Sequence, residues 1–309
     1  MPNILSRRDL DFLLYELYGA AELCEAPLYA EHSREVFDQI IDIAEKLAEN
    51  EFQPIAAHTD REEPVFDEGR VILPKETKQA LDAYIAAGFP GMGFAEEHGG
   101  LQLPHLISVG AGAFISAANG NVSGYTMLTA AAARLIIAHG SPDQVARYAL
   151  PLIEGRWFGT MCLSEPQAGS SLADIRTRAE RQEDGSYRLF GNKMWISGGE
   201  HDLSENIVHM VLAKVPGGPA GVKGISLFIV PKFEVAEDGS LGDRNDVVLA
   251  GINHKMGNRA TVNTVLNFGD QGGAVGYLVG EEGQGLGAEG ADGPERFSAI
   301  EAHRGEGVG

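Results

Sequence analysis

The sequence predicts an α+β fold in which an all-α N-terminal domain precedes an antiparallel β-barrel. Three observations predict it. Apolar residues recur every three or four positions up to about residue 150, and after Trp157 they alternate. Helices are thus segregated from strands, and no βαβ alternation runs through the chain, which argues against a Rossmann-like sheet.

The helical half divides into four segments. From Ser33, the residues Val36, Phe37, Ile40, Ile41, Ala44, Leu47 and Ala48 form one buried stripe. A second helix spans the region of Pro74 to Ala87, with Pro74 suited to its first turn and Gly88 to its end. The stretch Leu103 to Ala138 is rich in small residues and predicts two closely packed helices, broken near "NGNVSG". In "SPDQVARYALPLIEG", Ser141 can cap a helix, Pro142 fits its first position and Gln144 can reach back as capping-box partner.

The strand half opens with "IRTRAER" and "YRLF", joined by the Asp-Gly turn of "EDGSY". "NIVHMVLAK" and "GISLFIV" follow, separated by the loop "VPGGPAGVK", and then "TVNTVLNF". From Gly287 onward the sequence has six glycines and no sustained apolar face, so it reads as a disordered or aberrant tail.

Bulk properties limit the function. A chain of 309 residues, 44% of them hydrophobic, suggests about two domains. A net charge of −20 argues against nucleic acid and anionic membrane surfaces as partners. No apolar run approaches the ~20 residues of a membrane span, and Asp9 and Asp11 interrupt any signal-like segment. Two cysteines, Cys24 and Cys162, cannot form a disulfide framework, consistent with a cytoplasmic location. The nine histidines lack metal-ligand spacing, so no metal is expected.

Two clusters carry candidate chemistry. In "MCLSEPQAGSSLADI", Gly169 lets the backbone approach a ligand, and Ser164, Ser170 and Ser171 add hydroxyls beside it. In "GNKMWISGGEHD", Trp195 and Ser197 stand two apart, hence on one face of a strand. An indole beside a hydroxyl can seat a flat heteroaromatic ring and hydrogen-bond its polar edge. Equally, Trp195 can fill the barrel core while the loop is only a turn.

Those two segments, in that order and separation, resemble the flavin-contacting segments of the acyl-CoA dehydrogenase family. "AGFPGMGFAEEHGGLQLP", "HKMGNRATVNTVLNF" and "YLVGEEGQGL" are similar to further parts of it. "SGYTML" and the N-terminal extension resemble its longer bacterial branch, which includes the methylmercaptopropionyl-CoA dehydrogenases. The resemblance runs from about Ser33 to Leu286. It implies an extension over 1–32, a helical domain over 33–156, a β-barrel domain over 157–286 and the tail over 287–309.

The implied cofactor is FAD and the implied substrate an acyl-CoA thioester. Met161, Cys162, Leu163, Ser164, Gly169 and Ser170 would line one side of the flavin. Trp195, Ile196 and Ser197 would form the other wall, with Ser197 near the N5 and O4 edge. Ser170 would also touch the CoA side of the substrate. In the family, a carboxylate removes the α-proton, a β-hydride moves to flavin N5, and electrons leave to an electron-transferring flavoprotein.

The family also has a C-terminal four-helix domain, which supplies the catalytic Glu and much of a homo-oligomeric interface. The resemblance stops short of that domain, so the expectation is a truncated or frameshifted chain, inactive alone, with no catalytic residue assigned. Glu165, Glu96 and Glu97 read as loop ties. Ser171 stands where the family usually has Asp, a departure of small expected effect. An acyl-CoA oxidase on the same scaffold and a non-catalytic flavin-binding remnant are the alternatives.

Overall fold

The computed structural model describes residues 4–290. Its first half is helical: α1 (Arg7–Asp11), α2 (Arg34–Leu47), α3 (Ala56–Arg61), a small hairpin of β1 (Val65–Asp67) and β2 (Arg70–Ile72), α4 (Lys75–Ala86) and α5 (His105–His139). Two short helices, α6 (Pro142–Gln144) and α7 (Leu150–Ile153), flank a π-helical turn. The barrel follows with β3 (Trp157–Cys162), β4 (Arg178–Arg181), β5 (Tyr187–Ser197), β6 (Asn206–Lys214) and β7 (Ile225–Pro231). A second small hairpin, β8 (Phe233–Val235) and β9 (Leu241–Arg244), leads into β10 (Val247–Ile252), β11 (Asn263–Phe268) and β12 (Ala274–Val279).

The caps read from sequence are present. The Ser33 hydroxyl accepts from Val36 N, and Ser141 with Gln144 closes a full capping box at α6. Gly155 ends the run at φ +75°, a conformation that favours glycine. Pro74 precedes α4 as its N-cap. The long α5 is interrupted at Asn119, whose φ of −158° and ψ of 79° lie outside the helix, so it is two helices in line across a kink. The Asn119 side chain holds the kink by donating to Phe52 O and Thr59 Oγ1 (both 3.3 Å) and accepting from Val122 N. It thereby caps the second helix.

The N-terminal extension packs onto this domain. Its "SRR" segment reads in sequence as a solvated face, but Arg7 instead reaches across to α2, donating to Asp42 Oδ1 at 2.5 Å and to Asp11 at 2.8 Å. Leu14, fully buried, meets Gly110 of α5.

In the main sheet the strand order is β10-β11-β5-β12-β7-β6-β3, with β4 pairing both β5 and β6. Most pairs are antiparallel, as expected for the barrel, but β3–β6 and β4–β6 are parallel. The reason is topological. Between β3 and β6 the chain reverses twice, once at the β4–β5 turn and once at the β5–β6 connection, so β6 re-enters in the direction of β3. The strand β6 is buried on both faces: Val211 and Ala213 join a cluster with Phe158 and Phe228, while Met210 and Leu212 join another with Ala132 and Ile136 of α5.

The helical domain meets the barrel through α5 and β3. Gly159 N donates to Thr129 Oγ1, and a Cβ at Gly159 would come within 2.6 Å of Ala132 Cβ, so glycine sets the approach. Tyr125, buried, donates its hydroxyl to Ala260 O and accepts from Val262 N, each at 3.0 Å. At the far end, α8 (Gly285–Gly290) runs through Gly287, so the tail expected from that position is helical at its start; 291–309 lies outside the described residues.

Candidate flavin-type site at the barrel rim

Alternation along β3 sends Cys162 into the core and leaves Met161 and Leu163 half-buried on the other side. The chain then turns tightly, with Glu165 and Ala168 exchanging backbone hydrogen bonds of 2.7 and 3.0 Å. Beyond the turn, Gly169, Ser170 and Ser171 are exposed, and their amides take part in none of the loop's backbone hydrogen bonds. Ser171 precedes a short 3-10 turn without capping it through its side chain.

Glu165 holds this loop together. Its carboxylate accepts from Arg176 N (2.6 Å), Thr177 N (3.0 Å), Thr177 Oγ1 (2.6 Å), Gln167 Nε2 (2.7 Å) and Lys193 Nζ (3.0 Å). Burial alone would raise its pKa, but the Lys193 charge and the donated hydrogen bonds outweigh it, so the carboxyl sits below its ordinary value. Glu165 is a loop tie. Glu96 and Glu97 are not: both are exposed on a 3-10 turn, and Glu97 lies 3.9 Å from His98.

The opposite wall is β5. Its pairing with β11 runs from Gly191↔Phe268 to Met194↔Val265 and then jumps to Ile196↔Thr264, leaving Trp195 as an extra, bulged residue at φ +67°. The bulge inverts the pleat. Lys193 faces inward before it, Ile196 faces inward after it, and Trp195 is turned out, 57% exposed. The reading of Trp195 as barrel filling is thereby overturned. Trp195 and half-buried Ser197 both lie away from the core, through a bulge and not through plain alternation.

The two segments are laced side by side. Met194 N donates to Ser164 O at 3.0 Å, Lys193 Nζ to Leu163 O at 2.8 Å, and Thr160 Oγ1 to Ser197 O at 2.5 Å. Of the nine residues expected to line the site, Met161, Leu163, Ser164, Gly169, Ser170, Trp195 and Ser197 have exposed or half-exposed side chains or backbone here. Cys162 and Ile196 are in the core, so only their backbone can face a ligand.

Sequence reasoning missed four supporting residues: Thr160, Lys193, Asn253 and Asn263. Ser197 pairs directly with Asn263, whose Nδ2 donates to Ser197 Oγ at 3.3 Å, and Asn253 Nδ2 donates to Asn263 Oδ1 at 2.8 Å. Lys193 did carry a signal, since a lysine at an inward position of an apolar strand requires a buried partner.

Models of two domains match this chain. Residues 35–156 match the N-terminal domain of acyl-CoA dehydrogenase, and residues 160–270 match its middle domain. The chain belongs to the acyl-CoA dehydrogenase family. Within it, the chain is 42% identical over 233 residues to the 3-methylmercaptopropionyl-CoA dehydrogenase of Ruegeria pomeroyi, covering 75% of this chain and 39% of that protein. It is 34% identical over 302 residues to the broad-specificity linear acyl-CoA dehydrogenase FadE5 of Mycobacterium tuberculosis, covering 96% of this chain and 48% of the relative. It spans about half or less of the length of these relatives. A solved acyl-CoA dehydrogenase from Bacillus anthracis, complexed with FAD, shares the fold with a TM-score of 0.66 at 24% identity, over 84% of this chain and 39% of that one.

Proposed function

We propose that this chain provides the flavin seat of an FAD-dependent acyl-CoA dehydrogenase, acting in α,β-dehydrogenation of an acyl-CoA thioester. The observation that carries the reading is the bulge at Trp195. It turns a large aromatic ring to solvent at a left-handed backbone position, directly beside the Ser164 loop. A non-glycine residue held in the left-handed region stores backbone strain, and such strain clusters at ligand-binding sites.

The residues present fit a flat heteroaromatic group. Trp195 would pack against one face, and half-buried Met161 and Leu163 would supply an apolar wall. The hydroxyls of Ser164 and Ser197, both half-buried, would hydrogen-bond a polar ring edge. Gly169 and Ser170 present amides at the bend, where an anionic or carbonyl oxygen can be received. Ser170 is the residue we assign to the CoA side of the substrate.

When bound, FAD would supply the hydride acceptor for α,β-dehydrogenation of the thioester, a reaction that also requires a carboxylate to take the α-proton. Glu165 does not serve as that base, because its two oxygens already accept five hydrogen bonds and its pKa is lowered, which weakens it as a base. We assign no base among the described residues. The electrons would pass to an electron-transferring flavoprotein, as the family resemblance implies.

The test is direct. The purified chain is mixed with FAD, freed of excess cofactor and examined by visible absorbance, then titrated anaerobically with short saturated acyl-CoA thioesters. Retained FAD whose fluorescence is quenched supports the seat, and bleaching by a thioester supports the dehydrogenation. Loss of all FAD on desalting overturns the proposal.

A further inference from the structure

We infer that Asn263 is a positioning residue that fixes the direction in which the Ser197 hydroxyl donates its proton. The inference rests on the proposed flavin seat and concerns how that seat is tuned.

Ser197 is pinned through its backbone from two sides. Its carbonyl accepts from Thr160 Oγ1 at 2.5 Å, and the next residue, Gly198, donates from its amide to Val262 O at 2.8 Å. The Cα and Cβ of Ser197 therefore have a fixed place, while its hydroxyl proton can still rotate. A serine hydroxyl has one donor and two acceptor sites. Asn263 Nδ2, in a buried side chain directly across the β5–β11 pair, donates to Ser197 Oγ at 3.3 Å. That bond occupies a lone pair of the hydroxyl. The proton of Ser197 then points away from Asn263, which leaves it free to donate on the half-exposed side of Ser197.

The direction depends on which way the Asn263 amide faces, and Asn253 sets it. Asn253 Nδ2 donates to Asn263 Oδ1 at 2.8 Å, which leaves the Asn263 nitrogen to face Ser197. Backbone pairing holds the two asparagines together, since Asn253 N donates to Asn263 O at 2.7 Å. The result is a one-way chain of donors, Asn253 to Asn263 to Ser197 and on to the ligand. A hydroxyl kept as a donor stabilises a ring atom that gains electron density, so the chain would favour the reduced over the oxidised flavin. Polarised chains of this kind strengthen their terminal bond.

The experiment compares wild type, N263L, S197A and the double variant, each loaded with FAD. N263L keeps the branched shape and number of heavy atoms and removes the donor. The readouts are the FAD dissociation constant and the flavin midpoint potential, neither of which requires catalysis. The expected result is about 3- to 10-fold weaker FAD binding and a lower midpoint potential in N263L, as for loss of one oriented hydrogen bond. In the S197A background, N263L should add nothing. A second variant, N253L, leaves Asn263 in place but frees its amide to turn, and should reproduce the lowered potential in part. Thermal melts identify any variant that is simply unfolded, and N253L then carries the test. If N263L and N253L bind FAD with wild-type affinity and potential, or if their effects persist undiminished without the Ser197 hydroxyl, the inference is wrong and the flavin seat stands. If the wild type itself retains no FAD, the flavin seat fails first.

Discussion

Lys193 Nζ lies 3.0 Å from Glu165 Oε1, and both side chains are shut away from solvent. One belongs to the tryptophan strand and the other to the Ser-Glu-Pro turn, so this buried ion pair, together with the Met194–Ser164 backbone bond, ties the two walls of the proposed seat to each other. Lys193 also donates to Leu163 O, which ties the end of β3 into the same knot. Buried pairs of this kind lose much of their attraction to desolvation, yet breaking one half leaves a bare charge inside.

Replacing Lys193 by Met should therefore cost about 3–5 kcal/mol of stability, because Glu165 is left charged and buried. Adding E165Q to K193M should recover part of that loss. Urea unfolding of the two single variants and the double variant checks this through the coupling energy. Additive losses would show that the pair does not act as a unit.

Trp195→Gly separates stability from binding. Trp195 occupies φ +67°, where a residue with a Cβ is strained by roughly 1 kcal/mol and glycine is not. The side chain is mostly exposed, so little packing is lost. The variant should unfold at an unchanged or slightly higher denaturant concentration while binding FAD about 10-fold more weakly, for loss of one aromatic face. Fluorescence titration and urea melts measure the two effects independently.

Gly159→Ala should destabilise by about 1–3 kcal/mol, since the new methyl group would press on Ala132 at 2.6 Å in the contact between β3 and α5. A compensating A132G substitution should relieve the clash and restore part of the loss, offset by the ~1 kcal/mol cost of glycine inside α5. Calorimetry of the pair tests whether this close approach is what seats the helical domain on the barrel.

The barrel also contains two histidines that govern its response to acid. Burial, reinforced by the Lys232 charge, pushes His201 and His209 from an ordinary 6.5 down to about 3. Their folded-state pKa values are thus depressed, so as pH falls below about 6.5 the unfolded chain takes up protons that the folded chain refuses. Stability should rise with pH between about 3 and 6.5, each histidine contributing up to ~1.4 kcal/mol per pH unit. Between pH 7 and 5 the protein should lose roughly 2–4 kcal/mol in denaturant unfolding. A His209→Leu variant should show a shallower slope.

Much of the architecture was legible in the sequence because the signals were local. The Ser141 capping box, the Asp184-Gly185 turn and the alternation of β6 each need only neighbouring residues to be read. The site was legible in its two segments and illegible in their detail. A bulge depends on register against a partner strand, so Trp195 carried no local mark of its outward turn. Asn253 and Asn263 are ten residues apart and meet Ser197 only through the β5–β11 pairing, which no spacing rule reveals. The parallel β3–β6 pair was missed for the same reason, since it follows from the path of the intervening hairpin.

The double-sided enclosure of β6 also bears on how the molecule comes apart. Its residues feed one apolar cluster that runs from Phe158 and Phe228 of the barrel into the helical domain, and a second that includes Ala132 and Ile136 of α5. Pulling the helices off the sheet would wet one side of that strand, and opening the barrel would wet the other. Neither half can loosen without stripping support from the same nine-residue segment. Amide protons of β6 should accordingly be among the last to exchange with heavy water, released only when the whole chain unravels.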